Sequence, residues 1–121
     1  MPLWSSTAVV KALQTGIPIT VINAETLSNN DESIAVGVPN GRGREVNITF
    51  TVVFGSAPAS CDYVLQTALD NVDAEFFDVV GSNMTATAGG KITVNGIVAG
   101  LVRVKAVTAG AVVATVKVMI S

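Results

Sequence analysis

Along most of the chain, apolar and polar positions alternate with a period of two residues, the spacing that sends neighbouring side chains to opposite faces of a strand. From Arg44 to Phe54, the residues Val46, Ile48, Phe50, Val52 and Phe54 fall on one face and Glu45, Asn47, Thr49 and Thr51 on the other. This segment is predicted to be a half-buried strand with the valine and phenylalanine face turned inward. Cys61 to Leu69 reads as a second strand, with Tyr63, Leu65 and Leu69 inward and Asp62, Gln66 and Asp70 outward. Near the C-terminus, Val102, Val104 and Ala106 alternate with Arg103, Lys105 and Val107. After them Val112, Ala114, Val116, Val118 and Ile120 alternate with Val113, Thr115, Lys117 and Met119. Two neighbouring antiparallel strands, turned at Thr108-Ala109-Gly110, are expected there.

Shorter strand candidates run from Ile17 to Asn23, Ser33 to Val38, Glu75 to Val80, Met84 to Thr87 and Lys91 to Asn95. Gly89-Gly90 and Asn95-Gly96 have the residue types that two-residue hairpin turns demand, because those turns need positive backbone angles. Leu27 to Glu32, Pro39 to Gly43, Gly55 to Ser60 and Asp70 to Asp73 are expected loops. Only Ser6 to Gln14 has a helical look, with Ala8, Val9, Ala12 and Leu13 able to share a face. Its shortness and β-branched content leave an extended arm as an equal reading. The expected fold is all-β: an antiparallel β-sandwich, jelly-roll-like, with an N-terminal arm over residues 1–16, a single sandwich domain over 17–121 and at most one short helix.

Composition changes this picture in one respect. The 121 residues suit a single domain, but charged residues are only 13% of the chain, about half the usual share of roughly 25%. Small aliphatic residues therefore recur on outward faces, which points to burial against neighbouring subunits and to a homo-oligomer. The net charge of −2 argues against a nucleic-acid partner, since neutralising phosphates takes clustered cations and only Arg42 and Arg44 form a basic pair. No apolar run approaches the roughly 20 residues of a spanning helix, and Lys11 interrupts the one N-terminal block that could resemble a secretory signal. No membrane association is expected.

Candidate chemistry is sparse. The chain has no histidine, which removes the commonest general base and metal ligand and every His-dependent triad. Cys61 is the sole cysteine, so no intramolecular disulfide can form, and it reads as a small apolar residue at a strand start. The Gly41-Arg42-Gly43-Arg44 run precedes a strand rather than a helix and so lacks the helix N-terminus of a phosphate loop. Asp70, Asp73 and Glu75 lie close enough in sequence to suggest a cation, but the mid-loop glycine, terminal glutamate and flanking helices of a calcium-binding hand are missing. They read as a solvated turn. No catalytic residue, cofactor, metal or small-molecule substrate is expected, and the chain is read as a non-enzyme.

Three side chains suit contact instead. Trp4, the sole tryptophan, stands far from the strand pattern; it either packs back on its own domain or anchors the arm in a neighbour. Arg42 and Arg44, on a glycine-rich loop, are either a solvated hairpin tip or a probe for an acidic partner surface.

The stretch from Glu45 to Ser121 resembles a group of small structural proteins of tailed bacteriophages. The shared features run in order: the strand Val46-Asn47-Ile48-Thr49-Phe50, the turn Ser56-Ala57-Pro58, the strand Tyr63-Val64-Leu65-Gln66-Thr67-Ala68, and the stretch Asp70-Asn71-Val72-Asp73-Ala74-Glu75-Phe76. A Thr- and Gly-rich hairpin, the strand Leu101-Val102-Arg103-Val104-Lys105 and a valine-rich closing strand follow. The first forty or so residues lie outside the resemblance. Such proteins are β-sandwiches of virions, found as head decoration or cement proteins and as tail or neck components. The resemblance implies a capsid decoration protein at the virion surface, made in the host cytoplasm, that binds the major capsid protein, bridges capsomers and assembles as a dimer or trimer on a symmetry axis. A tail or neck role is the alternative within that group. A carbohydrate-binding β-sandwich is the alternative outside it and requires an aromatic platform, whereas Phe50 and Phe54 fall on the predicted core face.

Overall fold

A computed structural model describes residues 3–8, 10–39, 45–58, 60–85, 88–98 and 100–120. The strands are β1 (Lys11–Ala12), β2 (Ile19–Thr26), β3 (Asp31–Glu32), β4 (Val36–Gly37), β5 (Val46–Phe54), β6 (Asp62–Ala68), β7 (Phe77–Asp78), β8 (Gly90–Ile97), β9 (Leu101–Thr108) and β10 (Val113–Ile120). The one helical element among the described residues is the 3₁₀ turn Asp73–Glu75. Two sheets form. The larger has the order β1-β4-β9-β6-β7, with β3 also paired to β9, and the smaller has the order β2-β10-β5-β8. Among the described residues the strands pair antiparallel except for the short β1–β4 pair, and Thr15 and Ile120 form an isolated parallel bridge. The protein is an all-β sandwich, and no helix among the described residues is long and apolar enough to cross a membrane.

The period-two pattern is the reason. On β5, Ile48, Phe50 and Val52 are buried, while Val46 and Phe54 are partly buried at the ends of the same face. On β10, Ala114, Val116, Val118 and Ile120 point the same way, each directly opposite an inward residue of β5. Across the sandwich, Tyr63 and Leu65 of β6 meet Val102, Val104 and Ala106 of β9 in the same core.

Long-range pairing departs from the expected turns. Thr108-Ala109-Gly110 does not join paired neighbours: β9 lies in the larger sheet and β10 in the smaller, so this turn carries the chain from one sheet to the other. Gly110 has φ +80°, and a Cβ there would stand 2.6 Å from the Ser60 carbonyl oxygen, so only glycine fits. Asn95-Gly96 is not a hairpin turn either. The strand continues through it to Ile97, and the register jumps from Ile48 opposite Val94 to Val46 opposite Ile97. The extra residue makes a bulge, with Gly96 at φ +71° and its amide donating to Asn47 Oδ1 at 3.3 Å. Among the described residues Gly89-Gly90 likewise closes no hairpin: Met84 bridges to Tyr63 in the larger sheet while β8 pairs with β5 in the smaller.

Two predicted strands are broken. Of Ser33 to Val38 only β4 is strand, and β3 falls just ahead of it, at the end of the expected loop Leu27 to Glu32; between the two, buried Ser33 bonds β9 partly through its side chain, its amide donating to the Val104 carbonyl at 2.8 Å and its Oγ accepting from the Val104 amide at 2.9 Å. Glu75 to Val80 becomes the end of the 3₁₀ turn followed by the short β7. Leu69, expected inward, is 78% exposed, since β6 ends at Ala68 and the chain turns away. On β2, Val21 and Ile22 are adjacent yet both buried, because a register irregularity opposite Val116 and Lys117 inserts one residue.

The N-terminal segment is extended, with no helix from Ser6 to Gln14 among the described residues. Lys11 and Ala12 pair with Val36 and Gly37, the Leu13 amide donates to the Gly37 carbonyl at 2.8 Å, and the Leu13 side chain enters the core. Farther along, Gln14 to Pro18 are exposed, and the Gly16 amide donates to the Ile120 carbonyl at 2.7 Å.

Candidate functional site

The outer face of the larger sheet carries a polar cluster centred on Arg103. Alternation along β9 turns Arg103 away from the core, where an arginine would ordinarily be solvated, yet its residue exposure is 2%. Two distant segments cover it: the N-terminal strap at Trp4 and the turn that precedes β7. The guanidinium lies 4.0 Å from the Phe76 ring centre and 5.0 Å from that of Trp4, between two aromatic groups that meet edge to face. Its Nε donates to Gln66 Oε1 at 2.9 Å, and its Nη2 donates to Asp73 Oδ1 at 2.9 Å and reaches Glu32 Oε2 at 3.2 Å. Gln66 is held in turn, its Nε2 donating to Asp78 Oδ1 at 2.8 Å. Burial raises the Glu32 carboxyl above its ordinary value, and the charge of Arg103 opposes that rise.

Trp4 is locked into this cluster. Its indole N–H donates to Asn71 Oδ1 at 2.9 Å, its backbone amide donates to the Glu32 carbonyl at 3.2 Å, and Asn71 Nδ2 donates back to the Ser5 carbonyl at 3.2 Å. Of the two readings of Trp4, the geometry of the single chain is the self-packed one. The strap seals a small second core of Ala35, Ala68, Phe76 and Leu101, with Trp4 and Val10 packed against it. Chemically, this cluster fixes the strap and the 70–78 turn to the sheet by charge-assisted bonds.

Arg42 and Arg44 lie outside the described residues. Asp73 of the acidic stretch is drawn to Arg103, and among the described residues no group of three or more Cys, Asp or Glu is placed to hold a metal ion. Cys61 is buried just ahead of β6. Sequence reasoning missed Arg103, because alternation marks it only as outward, and missed Gln66, placed opposite it by the β6–β9 register. The proximity of Trp4 and Phe76, seventy-odd positions apart, leaves no local signal.

Two other surfaces stay open. At the β7 edge of the larger sheet, Leu69, Val72, Phe77 and Val80 are 78%, 47%, 70% and 97% exposed. Leu69, Phe77 and Val98 line a shallow groove of about 250 Å³ together with Thr67, Ala68 and Glu75. The second surface is the outer face of the smaller sheet. The register sets Thr20, Lys117, Thr51 and Lys91 in one row across its four strands, and Met119, Thr49 and Thr93 in another. Thr49 and Thr93 hydroxyls hydrogen-bond at 2.7 Å, and on the other side of the Thr51 row Val53, opposite Thr115, is 62% exposed. Nothing among the described residues covers this face as the strap covers the other sheet.

Comparison with protein-family models, curated proteins and solved structures returns no match for this chain.

Proposed function

We propose that the chain is a virion structural protein of the tailed-phage kind, a decoration protein that coats a head shell and stabilises it by bridging capsomers. One observation carries the reading: large apolar side chains stand in water on two separate surfaces, Leu69, Phe77 and Val80 at the β7 edge and Val53 and Val113 on the outer face of the smaller sheet. A chain with 13% charged residues does not mask such patches, and contiguous exposed apolar area of this kind marks contact with other proteins. Two patches facing different ways suit a subunit held between two neighbours. Burial of each would contribute about 25 cal/mol per Å² of apolar area, less the cost of ordering.

The protein then acts by contact and not by chemistry. The carbohydrate-binding alternative gains nothing from the fold: Phe50, Tyr63 and Phe76 are buried, Trp4 and Phe54 are partly buried, and Phe77 alone of the six aromatic side chains is exposed. A mass-spectrometric inventory of purified virions, followed by co-sedimentation with emptied heads, tests the reading. The protein is expected in the virion and in the head pellet, with Phe77→Asp weakening attachment. Recovery with tails places it in the neck or tail instead, and a protein missing from virions defeats the proposal.

A further inference from the structure

The two open surfaces are complementary to each other. The edge segment from Leu69 to Val80 holds Asp70, Asp73, Glu75 and Asp78 among its exposed apolar side chains and contains no lysine or arginine. On the outer face of the smaller sheet Lys91 and Lys117 stand one strand to either side of Thr51, with Val53 and Met119 on the same face, while the one acid sharing the parity of Thr49 and Thr51, Glu45, lies at the far end beside Gly96. One surface is thus apolar and acidic, the other apolar and basic. They cannot meet within one copy, because β7 belongs to the larger sheet and the basic face points away from that sheet.

We infer that the neighbour these surfaces reach is a second copy of this chain, the β7 edge of one copy docking on the outer face of the smaller sheet of the next. This rests on the contact role proposed above and names its partner. Such a contact is heterologous, so it propagates head to tail into a ring or a row instead of closing a two-fold pair. Strands about 4.8 Å apart and about 3.4 Å per residue give a four-stranded, eight-residue face of roughly 500 Å². That is below the roughly 800 Å² per partner of a standard stable interface. The association is therefore weak and reversible in free solution, strengthened where copies are held side by side. Its ion pairs are partly exposed, so salt weakens it.

Sedimentation velocity over a concentration series up to about 1 mM, at low and high salt, reads this directly. Native protein is expected to show reversible association, weakened roughly tenfold by added salt. The variant Lys91→Glu/Lys117→Glu reverses the face, and Asp70→Lys/Glu75→Lys reverses the edge without touching the bonds around Arg103; circular dichroism checks that both fold. Each variant alone should stay monomeric. An equimolar mixture should associate again, since the native edge of the first meets the native face of the second. Native protein that remains monomeric overturns the inference, as does self-association of either variant or failure of the mixture to associate. The contact role stands or falls separately on the virion inventory: protein that binds heads but never itself defeats only this pairing.

Discussion

Tyr63 offers a measurement of what the core tolerates. Its ring is fully buried against Phe54, with ring centres 6.0 Å apart, and its hydroxyl oxygen has no hydrogen-bond partner among the described residues. Burial, with a smaller contribution from nearby Cys61, pushes the phenol up to about 12 from its ordinary 10.0. Because the folded value is the raised one, the neutral phenol's contribution is complete below pH 10 and is lost as pH rises toward 12. Each unit corresponds to about 1.4 kcal/mol, so the ceiling on this loss is about 3 kcal/mol, with roughly half of it gone at pH 11; screening by water that relaxes around a phenolate lowers both. Tyr63→Phe keeps the ring, removes the unpaired hydroxyl and removes the titration. At pH 8 the variant should be about 1 kcal/mol more stable than the native protein, the low end of the about 1–3 kcal/mol that an unsatisfied buried hydroxyl costs. Its advantage should grow by about 1 kcal/mol by pH 11. Urea unfolding followed by far-ultraviolet circular dichroism at pH 8, 10 and 11 gives both curves, and titrations common to the two proteins cancel in the difference. Parallel curves, or a variant less stable by 1 kcal/mol or more at pH 8, would refute the reasoning.

The Arg103 cluster makes two further predictions. Arg103→Met strips Glu32 and Gln66 of a buried partner and should cost about 3 kcal/mol, the scale for breaking one side of a buried ion pair; the emission of Trp4, the sole tryptophan, should shift to the red as the strap loosens, and a cost under 1 kcal/mol with unchanged emission would contradict the described geometry. Trp4→Ala removes a partly buried ring and should cost about 2 kcal/mol, less than the 3–5 kcal/mol of a fully buried aromatic, while leaving attachment to heads intact; unchanged stability with attachment lost would instead place the ring in a neighbouring subunit.

The sandwich class, the strands β5, β6, β9 and β10 and the inward faces of β5, β9 and β10 were legible in the linear pattern. The reason is that which way a strand residue points depends on its own parity and on the apolar character of its neighbours two positions away, and both are written locally. Partner choice is not local. Thr108-Ala109-Gly110 and Gly89-Gly90 announce a reversal of the chain but not whether it returns in the same sheet or crosses to the other, and the core decides that by what the two sheets can bury together. Asn95-Gly96 has the composition of a tight turn and serves as a bulge, because a positive backbone angle fits either, and the pairing of β8 with β5 on both sides of it decides between them. Arg103 shows the same division most clearly. Parity alone sends it outward, and only the strap at Trp4 and the turn at Asp73, brought over it by tertiary packing, convert a solvated cation into a buried one. The two open surfaces follow suit: the sequence spells the acidic, apolar run from Leu69 to Val80 in one piece, but Lys91 and Lys117 come from strands far apart in the chain and share a face only because β8 and β10 both pair with β5.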